Sequence, residues 1–221
     1  GIPGKAVTTI DEGKREAHCV LLPPDGKNIY VPYVKENLAL LQYAYDSKTG
    51  KITPLETKNA KPPLGSGPRH MAYHPTLPMV YFSNEQGIGL SSYHREINGE
   101  LKVAQDINIL PAGMSKIGLS ASDLIITPDG KFLFAGLRGH SQDFNRISRY
   151  RILKDGRAEF IGLTEADRIP WGLTLSPDGR FLLVSATAGA SLTAYQIPPN
   201  GDLKKITSLP WDPKMSDLVA R

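Results

Sequence analysis

Long apolar runs are missing from this chain. No stretch approaches the ~20 residues that a membrane-spanning helix needs, so a membrane is not among the expected partners. Cysteine is almost absent as well. The single Cys19 in 221 residues leaves no internal disulfide and suits a reducing compartment, which points to the cytoplasm. No block of like charges occurs either. The 26 Lys and Arg against 22 Asp and Glu give a formal charge of +4, spread along the chain, which is too mild for a nucleic-acid partner. The opening Gly1-Ile2-Pro3-Gly4 has no basic n-region, no apolar h-region and no initiator methionine, so it is not expected to be the native start. Catalytic signatures are scarce. There is no Gly-x-Ser-x-Gly elbow and no His-Glu-x-x-His, and Gly65-Ser66-Gly67 lacks the flanks of a phosphate loop. His70 and His74 have a metal-binding spacing only on a helix, since on a strand they stand about 13 Å apart. Neither metal nor cofactor is expected. A sustained 3.6-residue apolar period is also lacking, so helix should be scarce.

What the chain does have is a repeat. Turns read Pro24-Asp25-Gly26-Lys27, Pro75-Thr76-Leu77-Pro78, Pro128-Asp129-Gly130-Lys131 and Pro177-Asp178-Gly179-Arg180, with successive prolines 51, 53 and 49 positions apart. Each turn is followed by a tyrosine (Tyr43, Tyr93, Tyr150, Tyr195) and then by a glycine before a charged residue (Gly50-Lys51, Gly99-Glu100, Gly156-Arg157, Gly201-Asp202). Short runs rich in Val, Ile, Leu, Phe and Tyr lie between these punctuators and read as strands. Four strands per ~50-residue unit make a β-propeller blade. The fold expected is all-β, a single propeller domain with blades near 17–66, 67–119, 120–169 and 170–221. No linker or second domain is seen.

Aligning the units on their turn proline puts His18, Arg69, Ser122 and Trp171 six residues before it, and Val34, Glu85, Arg138 and Thr187 ten residues after it. In an antiparallel hairpin these two positions face each other, so Arg69 and Glu85 are expected as cross-strand neighbours. His18, the Arg69/Glu85 pair and Arg138 then share one height on three adjacent blades. A polar cluster at one channel mouth follows. The unit carrying Arg138 has 22 residues from proline to tyrosine against 18 in its neighbours, so a longer loop around Gly139–Asn145 should stand beside it. His94 and His140 have no partner in sequence and read as solvated. Asp11-Glu12 and Lys204-Lys205 look like ordinary solvated edges.

Gly67-Pro68-Arg69-His70-Met71 with His74-Pro75, Tyr81-Phe82-Ser83-Asn84-Glu85, Ala17-His18 ahead of the first turn, and Leu137-Arg138-Gly139-His140 together resemble the lactonase family of seven-bladed propellers. That family includes bacterial 6-phosphogluconolactonases and fungal 3-carboxy-cis,cis-muconate lactonizing enzymes. The resemblance runs from about Ala17 to the C-terminus. It implies an active site of His18, Arg69, Glu85 and Arg138, with Arg69, Arg138, His70 and His140 as substrate contacts. Pro170-Trp171-Gly172 departs from the family's frequent Pro-Arg-aromatic, which puts anion binding by that blade in doubt. Seven blades need about 350 residues at this period, and 221 cover about four and a half. A missing N-terminal segment, a second chain or a smaller ring would close the structure, since an open array exposes two sheet edges. Met215–Ala220 reads as a strand.

Hydrolysis of an anionic sugar lactone is the function these residues favour. Glu85 would activate water, His18 transfer or orient a proton, Arg69 hold the oxyanion and Arg138 grip a phosphate or carboxylate, although a neighbouring arginine works against Glu85 as a base. Cycloisomerisation, closing a muconate lactone, would use the same groups. A non-catalytic propeller that binds metabolites or proteins is the reading from another class.

Overall fold

The computed structural model describes residues 4–23, 25–35, 39–211, 215 and 217–220. Fifteen strands, all antiparallel, make four sheets, and no α-helix occurs among the described residues. The first sheet holds β1 (Asn28–Pro32), β2 (Leu40–Asp46) and β3 (Lys51–Asn59). The second holds β4 (Pro68–Tyr73), β5 (Met79–Asn84), β6 (Gly89–Arg95) and β7 (Leu101–Asn108). β8 (Leu119–Ile126), β9 (Phe132–Gly139), β10 (Arg146–Ile152) and β11 (Ala158–Glu165) form the third. The fourth comprises β12 (Pro170–Leu175), β13 (Phe181–Ala186), β14 (Ser191–Gln196) and β15 (Lys204–Pro210). Each sheet is an up-and-down meander in chain order.

Turn chemistry makes these hairpins. Gly130 and Gly179 sit at φ 71° and 68°, where only glycine is free of strain. Asp129 and Asp178 accept the amide protons of Lys131 and Arg180 at 3.1 Å each. The second turn has no Asp-Gly, and the His74 ring replaces it: Nδ1 accepts from Thr76 N (3.1 Å) and Leu77 N (2.9 Å). That assigns His74 a turn-capping role. Pro24 of the first turn lies outside the described residues.

Two expectations fail. The first unit has three strands rather than four: the segment before β1 contributes one bridge, Ala17 to Tyr33, and the His18 amide bonds the Pro32 carbonyl at 3.0 Å. Pro32 has no amide proton to return, so the ladder stops there. Val20, Leu21 and Leu22 stay exposed in consequence. The segment Met215–Ala220 carries no strand at its described positions. The Leu218 amide is taken locally by Asp217 Oδ1 (2.8 Å), a bond that competes with a ladder.

The core lies between sheets. Tyr30, Leu40, Met71, Phe82 and Tyr93 join the first two, Tyr81, Leu90, Ala121, Leu133 and Tyr150 the next pair, and Phe134, Ile147, Leu173 and Tyr195 the last. The glycine of each outer hairpin serves these junctions. Gly99 and Gly156, at φ 88° and 81°, turn their carbonyls to the Tyr30 and Tyr81 hydroxyls of the preceding sheet, each at 2.7 Å. The third junction has Phe134 at the tyrosine position, and there Arg149 Nη1 donates to the Gly201 carbonyl at 3.3 Å. The first strands of sheets two to four, β4, β8 and β12, pack on one another around the inner edge.

Candidate active site

A one-residue bulge interrupts the inner hairpin of each four-stranded sheet at the same height. Pairing shifts between Pro68 and Met71 on β4, between Ala121 and Leu124 on β8, and between Pro170 and Gly172 on β12. Bulges re-aim side chains. The residues so displaced are Arg69 and His70, Ser122 and Asp123, and Trp171. Ser83 Oγ donates to the Ser122 carbonyl and Ser122 Oγ to the Pro170 carbonyl, each at 2.7 Å, which fixes the three bulges to one another.

The bulge also corrects the expected register. Glu85 does not stand opposite Arg69. Its amide bonds the Gly67 carbonyl at 2.8 Å, because the ladder beside the turn, with Met71 opposite Phe82, is already one position off the expected register and the bulge on β4 adds another. Likewise Arg138 pairs with Ser120 instead of Ser122. The side chains nevertheless converge. Glu85 Oε1 accepts from Arg138 Nη2 at 2.8 Å, and Oε2 lies 3.8 Å from Arg69 Nε. The closer partner of Glu85 therefore comes from the neighbouring sheet.

Both guanidiniums are buried, with side-chain exposures of 2% and 3%. Burial, then the Arg138 charge, pushes Arg69 down to about 10. Burial also lowers Arg138. Both remain cations at neutral pH, so two positive charges share one carboxylate. Arg69 Nε and Nη1 and Arg138 Nε are buried with no acceptor, an unusual state for buried donors. The indole of Trp171 stacks over both groups, 4.5 Å from Arg138 Cζ and 5.4 Å from Arg69 Cζ. The blade whose anion-binding part was in doubt contributes a π face, which attracts cations.

His18 and His70 lie beside this pair. Their rings are 5.0 Å apart at 53°. Burial, then Arg69 and His70, pushes the His18 imidazole down to about 4, although the residue keeps an exposed edge. His18 is neutral at pH 7. His70 Nδ1 bonds Asp123 Oδ1 at 2.7 Å. His140 stands at the rim, exposed, with Nε2 at 2.7 Å from Ser120 Oγ. Burial and Arg138 lower its pKa. Beside it the loop after β9 is pinned by Asn145 Oδ1, which accepts from Gly139 N (3.0 Å) and Ile169 N (2.8 Å). His94 is exposed with Glu96 nearby at 3.4 Å and stays outside the cluster.

A cavity of about 570 Å³ opens on the histidine side, lined by His18, Cys19, His70, Asp123, Leu173 and Asp217 among others. Burial pushes the Cys19 thiol up, so no thiolate nucleophile is available at neutral pH. Among the described residues no group of three or more His, Cys, Asp and Glu could hold a metal. The structure thus brings together His18, Arg69, His70, Glu85 and Arg138 and sets His140 at the edge. Sequence reasoning missed Asp123 and Ser120 as partners of His70 and His140. A signal for Asp123 existed, since it stands five residues before its turn proline just as His70 does.

Comparison with known proteins bears on the family and the fold. A family model described as "Lactonase, 7-bladed beta-propeller" matches residues 3–214. A 6-phosphogluconolactonase of Yersinia pseudotuberculosis is 31% identical over 199 residues, covering 87% of this chain and 57% of the relative. One from Cronobacter sakazakii is 28% identical over 200 residues, with 89% and 57% covered. Among solved structures, a periplasmic gluconolactonase of Pseudomonas aeruginosa superposes with a TM-score of 0.79 at 25% identity, covering 88% of this chain and 54% of that one. A protein of Lactobacillus plantarum gives 0.78 at 20% identity over 91% and 57%, which speaks to fold alone. The chain spans a little over half the length of these relatives. With four antiparallel sheets and a family-model match over residues 3–214, the chain belongs to the lactonase family of seven-bladed β-propellers.

Proposed function

We propose that the chain opens a sugar lactone, and that the substrate carries an anionic group, as 6-phosphogluconolactone does. The observation that carries this reading is the pair of buried guanidiniums sharing one carboxylate, Glu85, with three N–H nitrogens left without acceptors. Such a site has surplus positive charge in a low-dielectric setting, where it stabilises an oxyanion or carboxylate far better than in water. Arg69 holds the developing oxyanion and Arg138 the substrate's anionic group. Glu85 is the counter-ion that seats both, because its two oxygens already face guanidinium groups.

Residues that complete the ring come from a longer chain or a partner chain, and the cytoplasm is the location that the lone thiol Cys19 fits. The test is the rate of 6-phosphogluconolactone hydrolysis above the spontaneous background, beside unphosphorylated gluconolactone. Faster opening of the phosphorylated lactone is expected, with Arg138→Ala removing the preference. An equal rate on both would overturn the anionic substrate. No rate on either, with 6-phosphogluconate still bound saturably, would replace lactonase with a binding propeller.

A further inference from the structure

The lactonase reading leaves open which group takes the proton of water, and Glu85 is engaged with two cations. We infer that His70 is the general base and Asp123 its positioning residue. The inference rests on the lactonase reading.

Asp123 is held by three donors, one from each of three sheets. Oδ1 accepts from His70 Nδ1 (2.7 Å) and from the Leu124 amide (2.9 Å), and Oδ2 accepts from the Leu173 amide of β12 (2.9 Å). A carboxylate so fixed cannot follow the ring; the ring must follow it. The His70 main chain is fixed too, its amide bonding Ser83 Oγ at 3.2 Å. Acceptance at Oδ1 places the neutral imidazole's proton on Nδ1 and leaves Nε2 a lone pair. The ring lines the cavity and keeps 28% exposure, so water reaches it. A base within reach of solvent and oriented by a half-buried, hydrogen-bonded carboxylate is the arrangement that proton abstraction in acyl transfer requires.

His18, five Å away in ring separation, is the contrasting group. It has no carboxylate partner of its own and is pushed down to about 4 by burial and Arg69. Of two adjacent imidazoles only His70 has an anion behind it to balance the charge it gains. The step balances as follows. Nε2 takes a proton from water as the water oxygen bonds to the lactone carbonyl carbon. The tetrahedral oxyanion is held by guanidinium, the ring C–O bond breaks, and the imidazolium returns the proton to the departing ring oxygen. The product is the hydroxy acid.

Asp123→Asn is the decisive variant. Asn keeps an oxygen for the Leu173 amide but turns an amide N–H toward Nδ1, which forces the proton of His70 onto Nε2. Lactone turnover is expected to fall about 100-fold or more in kcat, with KM little changed, and Asp123→Glu to recover part of it. The nitrogen-15 spectrum of His70 should switch from the Nδ1–H to the Nε2–H tautomer. If Asp123→Asn does not fold, His70→Asn keeps the bond to Asp123 and removes Nε2, with the same expected loss. An active, folded Asp123→Asn with unchanged kcat overturns the dyad alone. An unmutated chain that opens no lactone overturns the lactonase reading, and the base role with it.

Discussion

Arg138, on β9 of the third sheet, reaches Glu85 at the end of β5 in the second at 2.8 Å, a full ångström closer than Arg69 on the carboxylate's own sheet. The ion pair therefore joins neighbouring blades instead of closing a hairpin. Arg138 Nη2 also donates to the Ala121 carbonyl at 2.8 Å, and the Ala121 amide returns to the Glu85 carbonyl at 3.2 Å. Glu85 is thus bound to the third sheet by side chain and main chain alike.

Glu85→Gln should be costly for stability as well as turnover. It keeps the shape but removes the carboxylate that both buried cations face, leaving Asp123 as the further anion acting on Arg69, a loss of about 3–5 kcal/mol by comparison with other broken buried pairs. Urea denaturation is the check. A double variant, Glu85→Gln with Arg138→Met, should recover part of the loss, because one of the stranded charges is gone. No recovery would mean that the carboxylate does not act as the shared counter-ion.

The turns, tyrosines and glycines were legible because each follows from local backbone chemistry: Pro-Asp-Gly sets a hairpin, and Gly99 or Gly156 sets a left-handed corner. His18, Arg69, Glu85 and Arg138 were legible as a set because a repeat puts equivalent positions at equal height. Their actual pairing was not. The hairpin centre lies one position off the count from the proline, and a bulge adds a further residue to β4 without leaving any mark in the composition, so counting outward from the turn placed Glu85 opposite Arg69 when it stands opposite Gly67. The roles of Asp123 and Trp171 were hidden for another reason. Both act across sheets, on His70 and on the two guanidiniums; Asp123 shares His70's place before the turn proline, but that shared position marks equal height and not which side chains bond. The absent inner strand of the first sheet depends on the missing amide proton of Pro32, which a strand pattern does not register.

Trp171 should report ligand binding directly. The chain has two tryptophans, and Trp211 is exposed, so Trp211→Phe leaves Trp171 as the sole indole. An anion entering beside Arg69 and Arg138 changes the charge under that ring, and 6-phosphogluconate should alter its fluorescence saturably. Trp171→Ala should remove about 1–2 kcal/mol of cation–π stabilisation and uncover the guanidiniums to water. Anion affinity should fall, since the arginines are then already hydrated. Unchanged affinity in Trp171→Ala would show that the indole has no part in the site.

Acid should destabilise the fold through its histidines. The folded-state pKa of His18 is about 4, below the ordinary 6.5, and burial lowers His74 and His140 in the same direction. Between these values the unfolded chain binds protons that the folded chain refuses, so the unfolded state gains as pH falls. Stability should be full above pH 6.5 and decline from there toward pH 4. Asp167, whose carboxylate is held well below the usual range by Thr193, Lys205, Ser191 and Ser208 against the cost of its burial, loses its contribution only below that window. Denaturation midpoints at pH 7.5 and 4.5 test this. The decline should be shallower in His18→Gln, and an identical decline would assign the effect to other groups.

The Tyr81–Gly156 junction offers a test of the fold that leaves the site alone. Tyr81 is fully buried and its hydroxyl donates to the Gly156 carbonyl at 2.7 Å. Tyr81→Phe strands that carbonyl in the core and should cost about 1–3 kcal/mol. Gly156→Ala should cost more, for two reasons that add. Gly156 sits at φ 81°, and a Cβ there would meet Met79 Cγ at 2.5 Å, so backbone strain combines with a clash that moves a core methionine. Neither residue touches the cluster around Glu85, so turnover per folded molecule should match the unmutated chain. A Gly156→Ala protein as stable as its parent would show that the outer-hairpin glycine is dispensable, and that the sheets are held by their apolar layers alone.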